Sequence, residues 1–290
     1  MPRSNVYQTI SNRFPEMSKS QRKIATYILE NTHSAPFLTV GKLAKMSDVS
    51  EATVVRFATF LGYSGYNELQ QYMYDSVEKQ LNTVERLQMS RDVYSEKEKG
   101  IYEVFEDDIT NIRMTMENLK LKDFEKTASY LLEAENIYIV ASRSAVSLAS
   151  FLHYYLDIMF GNCELIQSNE TAIERLYDLN EKDVVIGLSF ARYTKATLDI
   201  VNHTKGKDVP IIAITDSLLS PITQLATISL VASSKMPSFL DSFVAPLSII
   251  NALVTYLGKQ KSGQINNRLK ELEQLWDNHD IFHQQRNHMF

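Results

Sequence analysis

Cysteine is almost absent from this chain: Cys163 is the one cysteine in 290 residues. A single thiol cannot form an internal disulfide, and such low cysteine usage is typical of proteins from a reducing compartment. Cys163 lies in the apolar run CELI. Because a free cysteine packs like a small hydrophobic residue, we expect it to fill a buried strand rather than act as a nucleophile.

Long apolar runs are also missing. The sequence has no stretch of about 18 apolar residues, so no membrane span is expected. Its first residues, MPRSNVYQTISNRF, lack the apolar core of a signal peptide. Together with the cysteine usage, these absences predict a cytoplasmic protein without a membrane partner.

Catalytic and metal-binding patterns are not visible either. The six histidines lack metal-ligand spacing, and we find no Ser-His-Asp or Cys-His set. The sequence therefore predicts no metal and no cofactor. An enzyme that works by general acid–base catalysis would need a base within reach of its substrate. Glu170 is the least implausible base, whereas we expect His153 to pack inside a helix and Asp216 and Asp241 to cap helices.

The length and charge of the chain indicate two domains of different character. A chain of 290 residues is long enough for about two domains, each with its own core. Residues 1–80 carry nine Lys and Arg against seven Asp and Glu, whereas the rest carries 21 against 28. A slightly basic head on an acidic body is the charge distribution expected for a nucleic-acid-binding domain joined to an effector-binding domain.

Residues 39–65 read TVGKLAKMSDVSEATVVRFATFLGYSG, which predicts two short amphipathic helices joined by a tight turn. Thr39 can cap the first helix and Ser50 the second, since both side chains can accept a hydrogen bond from a free backbone N–H. The turn falls at 47–49, and Gly62 is typical of the position just after a helix. An ordinary helical hairpin is the alternative interpretation.

The second of these helices has a face suited to reading DNA. Its apolar positions should face the core, which leaves small and polar residues outside. In a helix-turn-helix the N-terminal residues of the recognition helix meet the base edges in the major groove. Arg56 can pair with guanine, and Thr53 can meet a thymine methyl or a phosphate. The predicted DNA-binding residues are Lys42, Ser50, Glu51, Ala52, Thr53 and Arg56.

The flanking sequence predicts an all-α head followed by a joint. A capping box begins at Ser18, and residues 1–80 read as a bundle of about five helices. Residues 81–102 are highly charged, so we interpret them as a linker, helical at first and then flexible. Helices are predicted at 103–119 and 121–134.

From Asn136 onward, short runs rich in Ile and Val alternate with helical stretches. The runs are NIYIVA, CELI, VVIGLS, PIIAIT and TISLVA. Strand–helix alternation predicts an α/β doubly wound domain with a five-stranded parallel sheet at 103–258. A helical tail is expected over 259–290.

Hydroxyl and guanidinium groups follow several of the predicted strands. Ligands of such sheets bind outside the carboxyl ends of the strands, where hydroxyls and helix N-termini hold anions. Each serine alone could simply be a helix cap. As a set they predict an anion site, whose residues are Ser142, Arg143, Ser144, Ser189, Arg192, Thr194, Ser217 and Ser220.

Both halves resemble known families. The runs SKSQRKIATYILEN and TVGKLAKMSDVSEATVVRFATFLGYSGYNELQ resemble the N-terminal domain of RpiR-type transcriptional regulators over residues 4–75. Residues 103–258 are similar to sugar isomerase (SIS) domains, which this family uses as phosphosugar sensors. By this resemblance Ser144 stands at the phosphate serine of the first loop, and Ser189 and Thr194 at the first serine and the threonine of the second loop.

The second resemblance includes departures at the phosphate loops. Ala141 and Arg143 replace the two glycines of the first loop, and Ala191 and Arg192 replace a serine and a glycine of the second. Glycine lets a backbone approach a phosphate closely, so these changes imply a different ligand or a different grip. A sugar acid, another phosphorylated metabolite and a site that has lost binding all remain open.

The resemblance implies a transcriptional regulator rather than an enzyme. Its expected partners are a double-stranded DNA operator and a small anionic effector, a sugar phosphate or sugar acid. We expect a homodimer or homotetramer, because one weakly basic head gains operator affinity by pairing. The alternative is an isomerase-like enzyme that carries a DNA-binding head.

Overall fold

The computed structural model describes residues 6–77, 82–94, 98–167, 169–260 and 262–283. Its chain divides into two compact units. The first comprises Met1–Ile109 with Lys235–Ser242, and the second comprises Thr110–Ser234 with Phe243–Phe290. Within these five ranges, no helix is long and apolar enough to cross a membrane.

The first unit begins with the five predicted α-helices. They are α1 (Val6–Arg13), α2 (Lys19–Glu30), α3 (Val40–Met46), α4 (Glu51–Phe60) and α5 (Tyr66–Val77). Their starts follow the capping chemistry in the sequence, with a complete capping box at Ser18 and side-chain caps at Thr39 and Ser50. Apolar faces converge on one core, in which Phe57 is fully buried.

A sixth helix occupies the region that the sequence analysis assigned to the linker. It is α6 (Thr83–Val93), and Asn82 starts it with a second capping box. Met89 and Val93 are buried in the core of the first unit. The part of this linker that the structure describes is therefore helical and packed, although its high charge had suggested a segment that becomes flexible. The helix α7 (Glu98–Asn118) follows, and the boundary between the units falls within it.

A short segment from late in the chain, residues 235–242, also belongs to the first unit. Asp241 forms an ion pair with Arg86 of α6, with 2.6 Å between Oδ1 and Nη2, and the two side chains are only 14% and 5% exposed. Arg86 also donates to the carbonyl of Leu240, and Ser242 Oγ bonds to Asp108 Oδ1 at 2.5 Å. The sequence analysis expected Asp241 to cap a helix, because a partner so distant along the chain leaves no local pattern.

The second unit is the predicted doubly wound α/β domain. Its strands are β1 (Ile137–Ala141), β2 (Cys163–Ile166), β3 (Val184–Ser189), β4 (Ile211–Thr215) and β5 (Ile228–Val231). All neighbouring pairs are parallel, in the order β2-β1-β3-β4-β5. The five-stranded parallel sheet predicted from the sequence is therefore confirmed.

Helices cover both faces of this sheet, as the fully buried strands β3 and β4 require. The helices of the second unit that follow α7 are α8 (Leu121–Glu133), α9 (Val146–Phe160), α10 (Asn169–Arg175), α11 (Lys195–Thr204), α12 (Val244–Gln260) and α13 (Ser262–Asn278). One core joins the sheet to α8, α9, α12 and α13, and the other joins it to α10 and α11. Burial on two faces explains why β3 and β4 read as unbroken apolar runs.

Candidate functional site

The exposed face of α4 carries most of the residues predicted to read DNA. Glu51, Ala52 and Arg56 are exposed, and Thr53 is half-buried. Opposite them, Val54, Phe57 and Ala58 are buried in the core of the first unit. The helix therefore presents a polar, sterically open N-terminal half to solvent, while its other face is fixed by packing.

Hydrogen bonds fix the start of this face. Ser50 caps α4: its Oγ accepts from the backbone N–H of Thr53 and lies 2.8 Å from Thr53 Oγ1. One turn later, Arg56 Nη2 lies 3.4 Å from the same Thr53 oxygen. The three side chains thus form a short polar row along the outside of the helix.

The turn before α4 has a special backbone conformation. Asp48 adopts φ +51°, in the left-handed region that Asp tolerates better than most residues. Its carboxylate forms a 2.5 Å ion pair with Lys23 of α2, which lowers its pKa through the hydrogen bond and the charge of Lys23. The break predicted at 47–49 is thus a tight turn tied to a neighbouring helix.

Two exposed apolar side chains of these helices were not predicted by the sequence analysis. Val55 on α4 and Met46 at the end of α3 are 42% and 57% exposed. Val55 directly precedes Arg56, so it adds apolar contact area to the exposed face of α4.

Lys42 is the exception among the predicted DNA-binding residues. Its Nζ donates to the carbonyl of Val93 at 2.7 Å and forms a 3.0 Å ion pair with Glu103 of α7. Nearby, Asp107 accepts a hydrogen bond from the Tyr94 hydroxyl, and burial raises the pKa of Asp107 to about 6. The structure therefore uses the Lys42 ammonium inside the first unit, apart from the polar row on α4.

The second candidate site lies at the carboxyl ends of the strands. The register pairs Ala141 with Leu188 and Ser189 with Thr215, so β1, β3 and β4 end at the same edge. The chain passes from β1 outward to β2 and returns to β3 on the other side of β1. The loops after β1 and β3 therefore flank the topological switch point, where such sheets bind ligands.

Hydrogen bonds connect the loops at this edge. Ser142 Oγ accepts from Thr197 Oγ1 of α11 at 3.0 Å, which joins the loop after β1 to the helix after β3. Thr215 Oγ1 donates to the carbonyl of Ser189 at 2.6 Å. The Tyr193 hydroxyl donates to Asp216 at 3.2 Å, which joins the loops after β3 and β4. Residues from three strand ends are thus held together.

Two serines at this edge have buried hydroxyls without a protein partner. Ser189 and Ser220 are 3% and 0% exposed, and neither Oγ has a hydrogen-bond partner within the part of the chain that the structure describes. A buried polar group that lacks a partner is unfavourable, so such groups often mark a binding or catalytic site. Both had been predicted as anion-site residues.

Arg143 and Arg192 occupy positive-φ positions at this edge. Their φ angles are +56° and +61°, in the left-handed region that favours glycine. Both side chains are exposed. At these two positions the loops thus keep the backbone conformation that glycine would adopt, although arginine replaces the glycine of the resemblance at each.

The other predicted anion-site residues have more local surroundings. Ser217 Oγ accepts from the backbone N–H of Leu219, as in an ordinary turn. Thr194 precedes α11 without a side-chain cap hydrogen bond. Ser144 is exposed on the loop after β1, and its carbonyl accepts from Ser147 Oγ.

The candidate catalytic groups are dispersed. Asp216 is hydrogen-bonded to Tyr193, Asp241 belongs to the first unit, and the side chain of Glu170 lies outside the described residues. His153 Nε2 lies 3.2 Å from the carbonyl of Cys163. Burial raises the pKa of the Cys163 thiol to about 12, so it is not a thiolate near neutral pH. Among the residues with described positions, no group of His, Cys, Asp and Glu has metal-site geometry.

Comparisons with known proteins match both units separately. Residues 4–80 match the helix-turn-helix domain of the rpiR family, and residues 130–256 match the SIS domain. An uncharacterized HTH-type transcriptional regulator from Caldanaerobacter subterraneus subsp. tengcongensis is 26% identical over 269 residues, which are 90% of this chain and 93% of that protein.

Two solved structures have a similar fold. One is the sugar isomerase domain of an RpiR transcription factor from Sphaerobacter thermophilus, with 23% identity and a TM-score of 0.58, covering 60% of this chain and 98% of that one. The other is the Vibrio vulnificus NanR protein complexed with ManNAc-6P, with 20% identity and a TM-score of 0.56, covering 94% of this chain and 98% of that one.

Proposed function

We propose that this chain binds a double-stranded DNA operator under the control of a small phosphorylated sugar or sugar acid. The proposal follows from its family, because the chain belongs to the RpiR-type helix-turn-helix transcriptional regulators with a SIS domain. The operator meets the exposed face of α4 in the first unit. The effector binds at the carboxyl ends of β1, β3 and β4 in the second unit.

The buried, unpartnered hydroxyls of Ser189 and Ser220 are the observation that carries the effector site. A phosphate oxygen accepts hydrogen bonds strongly, and it would satisfy groups that the protein leaves unpaired. The loop after β3 also leads into the N-terminus of α11, where free backbone N–H groups favour an anion. The NanR structure with ManNAc-6P is a solved example of a similar fold with a sugar phosphate.

On the DNA side, Ser50, Glu51, Ala52, Thr53 and Arg56 form the proposed contact surface. Arg56 suits a bidentate pair with guanine, and Glu51 can accept from a cytosine amino group. Ala52 leaves room for a base edge, while Thr53 contributes a hydroxyl and a methyl. We assign Lys42 to holding α3 in place, because Val93 and Glu103 already engage its ammonium.

Pairing of chains completes the proposal. A head with only a slight basic excess has weak affinity alone, and two heads on a pseudo-palindromic operator bind far more tightly. Exposed aromatic residues on α9, Tyr154 and Tyr155, offer an apolar surface for a second copy in the second unit. A homodimer or homotetramer assembled through such surfaces would present paired α4 helices.

An operator selection and a ligand screen on the full chain test this function. We expect selection from random duplex DNA to give a pseudo-palindromic site, and sugar phosphates or phosphorylated sugar acids to raise the melting temperature. Rapid turnover of a sugar phosphate, with no sequence-specific DNA binding, would instead identify an isomerase. No sequence preference and no melting shift with any phosphorylated sugar would also contradict the proposal.

A further inference from the structure

Resting on the pairing of chains in the function proposed above, we propose that the first unit has a self-association surface of its own, on the part of α7 that belongs to it. The surface is the α7 stripe, which consists of Ile101, Tyr102, Phe105 and Ile109. Its partner is the same stripe of a second copy of this chain, which runs antiparallel across a two-fold axis. This contact joins the two heads directly, in addition to the α9 surface proposed above.

The α7 stripe is apolar and open to solvent. Its four side chains are 61%, 70%, 60% and 39% exposed, in chain order. Tyr102, Phe105 and Ile109 follow one another at spacings of three and four residues, which places them along one side of the helix. Single exposed apolar residues are ordinary on a protein surface, whereas a contiguous apolar patch marks an interaction site.

The opposite side of the same helical segment is polar and packs within the first unit. Glu103 forms its ion pair with Lys42 of α3, and Asp107 accepts a hydrogen bond from Tyr94. An ordinary surface helix turns its apolar side to the core and its polar side to water. Because this part of α7 does the reverse, we infer that another molecule covers its apolar side.

The charges beside the α7 stripe are complementary to those of a second copy. Lys99 and Glu106 are both exposed and lie along one edge of the stripe, about two turns apart. In an antiparallel pair, Lys99 of each copy lies beside Glu106 of the other, whereas a parallel pair would bring like charges to the same level. Residue i then contacts residue j and j contacts i, as in the two-fold interface of a homodimer. Such flanking charges set the orientation of paired helices.

The same register brings the two aromatic residues together. Tyr102 of one copy then faces Phe105 of the other, and the converse pair forms on the other side of the axis. Aromatic pairs of this kind are favourable beyond the area that they bury. With side chains of about 200 Å² each, the exposed fractions correspond to roughly 500 Å² per chain.

The size of this surface indicates how it works in the dimer. Two copies would bury about 1,000 Å² in total, which is near the lower limit for a specific interface. The α7 contact is therefore weak by itself. Once two chains are joined through their second units, the contact forms within one assembly at a high effective concentration. The heads are then held as a pair, which the proposed binding to a pseudo-palindromic operator requires.

Zero-length cross-linking of the full chain tests this pairing. A carbodiimide joins an amine to a carboxylate that it touches, and a mixture of ordinary and isotope-labelled chains distinguishes cross-links between chains from those within one. We expect mass spectrometry to find Lys99 of one chain joined to Glu106 of another. Lys99→Glu should lose this cross-link, because the amine is gone. The exchanged variant Lys99→Glu/Glu106→Lys should form it again with the two positions reversed.

Phe105→Glu tests the apolar part of the contact. It places a carboxylate in the middle of the α7 stripe, so the cross-link between chains should disappear and the operator affinity should fall at least about tenfold. Ile173→Glu is the matched control, because Ile173 is similarly exposed, at 57%, on α10 of the second unit. It should keep both the cross-link and the affinity. Circular dichroism verifies that both variants are folded.

The outcomes separate this inference from the proposed function. Cross-links of Lys99 and Glu106 found only within one chain, in a protein that sediments as a dimer and binds its selected operator, would overturn the inference and leave the function intact. An operator affinity that is the same in Phe105→Glu and Ile173→Glu would also overturn it. A chain that remains monomeric and shows no sequence preference for DNA would overturn both.

Discussion

At the scale of single residues, the clearest test of the effector site is Ser189. Its buried hydroxyl has no partner among the described residues, so Ser189→Ala leaves no other group unpaired. We expect the free energy of unfolding to stay the same or rise by about 1 kcal/mol, because an uncompensated desolvation cost is removed. The affinity for the sugar phosphate that the ligand screen identifies should fall about tenfold, since a charge-assisted hydrogen bond is lost. Urea denaturation and calorimetry measure the two quantities.

Thr204→Val is the control, because it should change stability and ligand affinity in the opposite way. Thr204 is equally buried, but its hydroxyl donates to the carbonyl of Val201 at 2.8 Å. Its removal should cost about 1 kcal/mol of unfolding free energy and leave ligand affinity unchanged. If Ser189→Ala destabilised the protein as Thr204→Val does and left the affinity unaltered, the serine would be an ordinary structural residue.

A second residue-scale prediction concerns pH. Burial raises the pKa of Asp107 from its ordinary 3.8 to about 6, while Tyr94 and Lys42 act in the opposite direction. Because the unfolded carboxyl ionises first, this group makes the free energy of unfolding fall as the pH rises from about 4 to about 6. Asp107→Asn removes that fall, so the variant should gain stability relative to wild type over this interval.

Urea denaturation at several pH values between about 4 and about 7 measures the difference. The exposed residue Asp199 provides the comparison, and Asp199→Asn should keep the wild-type pH dependence. If the unfolding free energy of Asp107→Asn fell with pH as steeply as that of the wild type, another group would be responsible for the fall.

At the scale of elements, α4 is the test of operator recognition. Arg56 is exposed one turn after the cap, beside Thr53. Arg56→Ala should weaken binding of the selected operator by about 1–3 kcal/mol and relax the preference at one base pair. Fluorescence anisotropy at fixed salt measures the loss, with Arg113→Ala, an exposed arginine on α7, as the charge-matched control. Equal losses in both variants would indicate only a general effect of charge.

The contact between α6 and the 235–242 segment gives a second element-scale prediction. Arg86→Met leaves the carboxylate of Asp241 buried without its cation, which should cost about 3 kcal/mol of unfolding free energy. The double variant Arg86→Met/Asp241→Leu should recover most of that loss, because no buried charge remains. Thermal and urea denaturation check both variants, and a small effect of Arg86→Met alone would mean that the pair is solvated.

An element can be predicted from the sequence when the interactions that form it lie within a few residues of one another. The five strands follow from runs of Ile and Val, and the caps at Ser18, Thr39 and Ser50 act within three residues. The ion pairs of Arg86 with Asp241 and of Lys42 with Glu103 could not be predicted, because the two partners of each pair lie far apart along the chain.

In the candidate site, too, some features can be predicted from the sequence and others cannot. The sequence pattern alone assigns Ser189 and Ser220 to the same edge of the sheet, because parallel strands end at one edge. The positive φ of Arg143 and Arg192 has no signature in composition or periodicity, since arginine normally avoids that region. The strand-end pattern assigned both arginines to the anion site, and the resemblance to glycine-containing loops pointed to an unusual backbone there, whose conformation the structure supplies.

At the scale of the whole molecule, two domains are joined in one chain. The rpiR-family helix-turn-helix domain and the SIS domain occupy successive stretches of sequence. A net charge of −5 makes general attraction to DNA weak, so we expect operator binding to depend on specific contacts and on pairing of heads. An effector can then control transcription by changing the free energy of operator binding, typically by about 1–3 kcal/mol.

The most direct test of this coupling is the operator affinity of the full chain, measured by fluorescence anisotropy with and without a saturating concentration of the sugar phosphate that the ligand screen identifies. We predict that the ligand changes the dissociation constant by about 5- to 150-fold. We also predict that Ser189→Ala shifts the ligand concentration needed for this change upward about tenfold. An operator affinity that stays constant while calorimetry shows the ligand bound would contradict the proposed coupling.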